Sequence, residues 1–533
     1  MSRIIRSLAL GALLVAMLPT AAIAESSSPV DIVILGGNAA VPANVEAHLA
    51  SCTDGSVTRI SGSNRYKTAV AISKKAFPGG ATSAYLAIGT NYPDGVVAGA
   101  AAASSDAPLL LTEGNRLPSE TWDELERLDV ADVFILGGTS VISSRVQTQL
   151  AGSFNVTRLD GATRYATAAA VSAATFPGPV DVAYVTTGED FPDALVGGTA
   201  AFSDDAPMLL TDPDRLSPET AAELERLQVS RIVILGGTAA VSASVQKELA
   251  GYGSVSRIQG RDRYATAAAI ASSLPGGSDK IFITTAHNFP DALAGTPLVG
   301  TRPMLLTSEA GLPPATATAI SSYTGRPCTP IVKVSQFTTY HASGQSRVTN
   351  IHLIADATNG AVVLPGEVFS LNARVGRRTT SKGYVAAGAI INGEIYCCDH
   401  PANIGGGTSQ FATTLYNAIF FGAYEDWYHR PHSIWFSRYP MGREATLGWT
   451  SPDVKFRNDT NAPVMIRAHY TSSSITVEMW GWNDGRRVST WRNGSATTRD
   501  GGSVRVYRKI TYADGTSRTQ SWYHRYNPLH PDD

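Results

Sequence analysis

Residues 403–414 read "NIGGGTSQFATT", three glycines followed by Thr408, Ser409 and Gln410 at the head of an apolar run. A serine at a helix start after glycines lies beside unpaired backbone N–H groups, the arrangement of a nucleophile next to an oxyanion site. His429 or His432, in "YHRPHS", could serve as its base, with Glu425 or Asp426 orienting the ring. The plainer reading is a helix cap, because Ser favours that position and the G-x-S-x-G elbow is absent. We take the cap as the expectation and keep Ser409, His429 and His432 as the candidate catalytic set. Two histidines without a third ligand do not complete a metal set, so no metal and no cofactor are expected.

A second set of residues repeats. "RISGSNRYKTAVAIS", "RLDGATRYATAAAVS" and "RIQGRDRYATAAAIA" each open on an arginine (Arg59, Arg158, Arg257) and carry an Arg-Tyr step six positions later (Arg65-Tyr66, Arg164-Tyr165, Arg263-Tyr264). Guanidinium suits bidentate contact with phosphate or carboxylate, and the neighbouring Tyr can flank a sugar or polymer backbone. Three such steps would offer a repeating anionic chain three similar contacts, with avidity beyond any one of them. The competing reading pairs these arginines with local acids such as Asp160 or Asp262. The "LGG" steps ahead of helices lack both GxGxxG and GxxxxGK[ST], so they read as tight strand-to-helix turns and not as nucleotide sites. Asp94, Asp193 and Asp291 each follow Pro at a helix start, where a carboxylate complements the helix dipole.

The elements that position these residues also repeat. The Gly-Gly pairs begin at Gly36, Gly137 and Gly236, 101 and 99 residues apart, and the Arg-Tyr, "FPDAL" and "LLT" signatures keep the same order and nearly the same period. Within a unit, Val133–Leu136, Val180–Thr186 and Pro207–Thr211 read as buried strands. Residues 165–175, 192–202 and 217–227 read as helices, the last with Ser217 as N-cap and Pro218 at the first position. Such alternation predicts an α/β fold of three tandem parallel-sheet repeats in a pseudo-threefold array, at 31–130, 131–229 and 230–328. The third copy ends near "SSYTGRPC" without its own "ILGG" strand. Either each unit begins at that strand, or the N-terminal one completes the third unit and closes a ring of three.

The whole chain has 533 residues, too many for one core, and a net charge of only -2, which gives no global field for nucleic acid; any anion binding must be local. Arg3 and Arg6, the apolar run Leu8–Leu18 and the Ala22-Ile23-Ala24 step read as a secretory signal peptide over residues 1–24, leaving no membrane span after cleavage. Four cysteines allow three pairings. Adjacent Cys397 and Cys398 are poorly placed to bond each other, whereas Cys52 and Cys328 lie near the two ends of the repeated region and are the preferred pair.

The three "RxxGxxRYxTA … FPDAL … LLT … ILGG" units, over residues 31–328, resemble the cell-wall-binding repeats found in threes on surface proteins of Gram-positive bacteria. That resemblance implies a secreted, wall-associated protein held non-covalently by an anionic secondary cell-wall polymer. Copy one departs with Gly95 where the others have Ala194 and Ala292, and copy three with Arg302 before its proline.

Composition shifts after Cys328. Seven of the eight Trp and eight of the ten His lie beyond residue 335, so a different domain, 335–533, follows a short junction at 329–339. "VVLPGEVFSLNARVG", "GYVAAGAIINGEI", "GGGTSQFATTLYNAIFFGAYE", "HRPHSIWFSRYPMGREAT" and "PDVKFRNDTNAPVMIRAHY" resemble the VanW-like family, with Ser409 where that family often has Cys. The resemblance points to the wall and to peptidoglycan as partner, either recognised or modified through Ser409. From the residues themselves, 409–424 is a helix burying Phe411, Leu415, Ile419 and Phe420, and "PVMIRAHY" with "SITVEMW" alternates as an antiparallel pair, giving an α+β domain. Trp427, Trp435, Tyr439 and Trp449, with Arg438 and Arg443, are candidates for holding sugar rings or stem-peptide carboxylates.

Overall fold

The computed structural model describes residues 29–391, 394–396 and 404–529, so the signal-peptide segment and Cys397-Cys398 lie outside the described residues. Three four-stranded parallel sheets make up the first part. The first sheet runs Leu109–Thr112, Ser83–Ile88, Asp132–Leu136, Asn155–Leu159 across its width, and the second runs Met208–Thr211, Val182–Thr187, Arg231–Leu235, Ser254–Ile258. The third is assembled from both ends of the repeated region. Its strands Met304–Thr307 and Lys280–Thr285 are continued by Asp31–Leu35 and Val57–Ile60, with Ile32 opposite Ile281. The N-terminal strand therefore completes the third unit and closes the ring, and sheet membership cuts across repeats counted from residues 31, 131 and 230. Cys52 and Cys328 are bonded across this closure, as expected from their positions.

Local chemistry sets each unit. The strands are nearly continuous apolar runs because both sheet faces are covered. Gly36, Gly137 and Gly236 take φ values of +107°, +86° and +101°, which ends each "ILGG" strand in a turn that a side chain would strain. The helices Arg65–Ala76, Arg164–Thr175 and Arg263–Ser273 are started by Asn64, Thr163 and Asp262, whose side chains accept from the N–H groups of Lys67, Ala166 and Ala265. In Pro218–Leu227, Ser217 holds the N-cap position, yet its hydroxyl accepts from Asp212 N–H and leaves the helix uncapped by a side chain.

Helices Ala98–Ser104, Pro192–Ser203 and Pro290–Val299 meet in the central apolar core. Gly99, Gly198 and Thr296 are equivalent positions here. A Cβ on Gly99 would stand 2.9 Å from Thr296 Oγ1, and one on Gly198 would stand 3.2 Å from the same side chain. One threonine thus fills the space that the two glycines leave, and the threefold relation is broken at its centre.

The chain leaves the array directly as a strand, Val332–Tyr340, so most of the expected junction is ordered sheet. Ile331 bridges Leu312, Ala462 is buried in the core of the third unit, and Arg467 lies 3.6 Å from Glu309, which fastens the two parts together. The second part is α+β. Its antiparallel sheet orders Val332–Tyr340, Ser474–Gly481, Val464–Tyr470 and Ala361–Val363, and helices Ser346–Thr358 and Thr408–Phe421 pack against it. The latter helix is buried on nearly every side. A three-stranded sheet, Arg487–Thr497, Gly501–Thr511 and Ser517–Tyr526, covers its far end, where fully buried Arg508 donates to the carbonyls of Phe420 and Tyr424 at 3.1 Å each. No helix among the described residues is long and apolar enough to cross a membrane.

Candidate functional site

The two arginines of each repeat have different work. Arg59, Arg158 and Arg257 donate through Nη1 to the carbonyls of Gly36, Gly137 and Gly236 at 2.6, 2.6 and 2.7 Å. Each also reaches one residue of the helix that leads away from the glycine turn, Glu46, Gln147 or Gln246. Their guanidinium groups stitch the glycine turn to the neighbouring strand, and Arg59 retains only 14% of its side-chain exposure. Asp160 is bonded to none of them, and Asp262 serves as a cap.

Arg65, Arg164 and Arg263 occupy the first position of their capped helices and donate to the carbonyls of Gly89, Gly188 and Ala286. The last of these bonds measures 3.0 Å. Beside them the Tyr66 and Tyr165 rings pack over Gly89 and Gly188, where any Cβ would come within 2.7 Å of the ring. These arginines lie at seams between units. The Arg164 charge of the second unit acts on the Tyr92 hydroxyl of the first, opposing the rise that burial gives it, and Arg263 of the third reaches Asp190 of the second at 3.3 Å. Arg164 also stands 3.7 Å from Glu189, whereas Arg65 has no carboxylate within 4 Å among the described residues. The three seams are therefore unequal in charge, and that of Arg65 is the most cationic.

At the centre of these seams Tyr92, Phe191 and Phe289 form a closed triad, with centroids 5.4, 6.1 and 6.1 Å apart. These three were missed in the sequence reading, although each is the aromatic residue of an aromatic-Pro-Asp step at the period already found. Their neighbours Asp94, Asp193 and Asp291 sit in the first helical turn, and their carboxyls also pack against Gly137, Gly236 and Gly36. A carboxyl group thus occupies the space beside each glycine turn that a side chain would need. Burial pushes Asp193 and Asp291 up to about 6; the Asp190 charge adds to the shift of the former, while Arg263 and Arg65 act against it. Asp94 is raised for the same reason, opposed by the Thr167 hydroxyl and Arg164.

The Ser409 set is not assembled. Gly407 is the N-cap of helix Thr408–Phe421, and Ser409 is its second residue, with Oγ accepting from Leu447 N–H at 3.1 Å. The expected cap therefore does not form, because the third glycine turns the chain one residue earlier. His429 Nδ1 lies 2.8 Å from Asp426, as the orienting pair would require, but its ring stacks on Tyr416. Tyr416 is seven residues, roughly 10 Å, along the helix from Ser409. His432 stands 3.3 Å from buried Glu444 and stacks on Tyr439. Neither imidazole is bonded to Ser409. Burial pushes Glu444 up, with His432 opposing, and pushes His524, which faces His429 at 5.9 Å between centroids, down to about 4.

Of the aromatic candidates, Trp427 and Trp449 are exposed, the latter under the Arg377 guanidinium at 4.6 Å. Tyr439 is buried, Trp435 packs against the core, Arg438 lies over Tyr439, and Arg443 is held over Phe420 and Phe421.

Three parallel-sheet units closed around one axis, each presenting an Arg-Tyr pair and an aromatic-Pro-Asp step, define a threefold repeat array joined to an antiparallel α+β domain. Residues 59–147, 158–246 and 257–349 match Cell wall binding domain 2 (CWB2), together just over half of the chain, and the chain belongs to that family. Residues 346–480 match the VanW like protein family. The protein is thus cell-wall-associated. It is similar to the N-acetylmuramoyl-L-alanine amidase LytC of Bacillus subtilis, with 33% identity over 246 residues, 46% of this chain and 48% of that protein. The uncharacterized protein YoaR of the same organism is 36% identical over 149 residues, 28% of this chain and 48% of that one. Among solved structures, Cwp8 from Clostridium difficile superposes with a TM-score of 0.46 at 26% identity, covering 49% of this chain and 46% of the other. The chain spans about half the length of these two curated relatives.

Proposed function

We propose that the array holds a secreted protein non-covalently to an anionic secondary cell-wall polymer, and that the VanW-like domain then recognises peptidoglycan. The observation that carries this reading is the set of seam arginines. Arg65, Arg164 and Arg263 are about one-third exposed or half-buried, rigidly placed at helix starts, flanked by Tyr66, Tyr165 and Tyr264, and grouped about one aromatic triad. Three pre-ordered guanidinium groups at related positions suit a chain of repeating anions, because each further contact is intramolecular once the first has formed. Arg65, least neutralised, is the strongest of the three. Arg59, Arg158 and Arg257 support the fold of the glycine turns beneath them.

For the second domain, recognition is favoured over chemistry at Ser409, whose hydroxyl is engaged by Leu447 N–H and, among the described residues, is bonded to no imidazole. Exposed Trp427 and the Arg377–Trp449 pair offer surfaces for sugar rings and carboxylates. The test is co-sedimentation of the full chain with purified walls before and after removal of the secondary polymers. Binding should be lost on removal, and Arg65→Ala should weaken binding to intact walls more than Arg164→Ala. Indifference to polymer removal would refute the anchor.

A further inference from the structure

Residues 487–526 lie beyond both family matches, which end at 349 and 480. Their three antiparallel strands are in continuous register, with Trp491 opposite Tyr507 and Tyr507 opposite Ser521. Strand alternation divides the sheet. Val504, Val506, Ile510 and Tyr526 face the core of the VanW-like domain, and the other face is open to solvent.

We propose that this open face is a binding platform for an acidic polysaccharide, a chain of sugar rings bearing carboxylates. Its centre is aromatic. Trp491 and Tyr507 stack in parallel, 5.0 Å apart and 3° from coplanar, with Trp491 45% exposed. Trp491, on the edge strand, keeps ring surface open for the C–H groups of a sugar, and Tyr523 adds a further exposed ring. The surround is cationic. Arg505 and Lys509 are exposed two residues to either side of Tyr507, roughly 7 Å away along the strand. Arg525 lies on the adjacent strand with the same orientation, and the Arg505 guanidinium is held 5.4 Å over Tyr523.

Charge complementarity identifies the ligand class. None of the three strands contains Asp or Glu, and among the described residues no carboxylate lies within 4 Å of Arg505, Lys509 or Arg525. The nearest acids in sequence, Asp500 and Asp514, sit in the two hairpin turns, where they are bonded to Thr497 and Thr516. The remaining open positions are mostly hydroxyls, Ser489, Ser495, Ser503, Thr519 and Ser521 among them, which suit a polyhydroxylated ligand. An exposed stack of rings would have no role against a polyol-phosphate chain, which has no rings to cover it. Sugar rings carrying carboxylates match aromatics, hydroxyls and cations together.

This surface is separate from the array, and the test keeps the two apart. The full chain carrying Arg65→Ala, Arg164→Ala and Arg263→Ala is titrated calorimetrically with hexagalacturonate, neutral chitohexaose, poly(glycerol phosphate) and oligothymidylate. Hexagalacturonate should bind saturably and more weakly as salt rises. Trp491→Ala and the pair Arg505→Ser/Lys509→Ser should each weaken it by about tenfold or more, with melting temperature unchanged because these side chains are exposed. The three other probes should bind about tenfold more weakly. The same substitutions in the chain with an intact array should lower hexagalacturonate stoichiometry or affinity without altering the effect of Arg65→Ala on wall binding. Unchanged hexagalacturonate affinity in the Trp491 and Arg505/Lys509 variants would overturn the proposal, as would tighter binding of oligothymidylate through those residues.

Discussion

Replacing Asp193 or Asp291 by Asn is expected to stabilise the array near neutral pH and to do little in mild acid. Burial raises both carboxyls from an ordinary 3.8 to about 6. In the unfolded chain each proton is released near 3.8 and in the folded array near 6. Below 3.8 both states are protonated and the group is neutral to stability. Between these values the unfolded state ionises first, so stability falls as pH rises, and above 6 the loss is constant. A shift of about two units corresponds to about 3 kcal/mol per group, roughly 6 for the pair. The amide cannot ionise and removes that loss. Urea denaturation of parent and single variants at about pH 4 and about pH 7.5 isolates the effect, since carboxylates common to both proteins cancel in the difference. Each variant should gain about 2–3 kcal/mol at the higher pH and little at the lower. Equal destabilisation at both pH values would refute the reasoning, for it would mean that the carboxyl serves as a required acceptor beside the glycine turn and that its burial as a charge is of no consequence.

Cys52→Ala with Cys328→Ala opens a bond spanning 276 residues, for which loop entropy alone gives a loss of about 6 kcal/mol; equal melting of reduced and oxidised parent protein would contradict it. Gly99→Thr should cost about 1–3 kcal/mol by overfilling the axis against Thr296, and Thr296→Gly in the same chain should recover most of it; failure of the rescue in thermal melts would remove the shared-space explanation. Ser409→Ala should cost about 1 kcal/mol by leaving Leu447 N–H without its acceptor, with wall binding intact; loss of a peptidoglycan-cleaving activity at unchanged stability would restore the nucleophile.

The period of the repeats, the alternation of strand and helix, and the antiparallel pair in the second domain were legible in the residues because each depends on local propensity and short-range apolar pattern. So was the Arg-Tyr step, whose place at a helix start follows from the cap before it. What the sequence could not decide was which contacts form between residues distant in the chain. Strand Asp31–Leu35 can begin a first unit or finish a third, and only pairing with Lys280–Thr285 settles it. The two arginines of each repeat look alike in sequence, but one is drawn onto the carbonyl of a glycine turn and the other is left at a seam. The aromatic residues before Pro-Asp carry no local signal of their meeting, since the triad exists only once three units share an axis. Ser409 and the two histidines are close in sequence, yet His429 is stacked on Tyr416 half a buried helix away and His432 is held by Glu444 and Tyr439. The sequence by itself determined the units and their chemistry; tertiary packing decided the ring, the seams and the fate of the serine, because a polar group takes whichever partner the closed fold brings within hydrogen-bond reach.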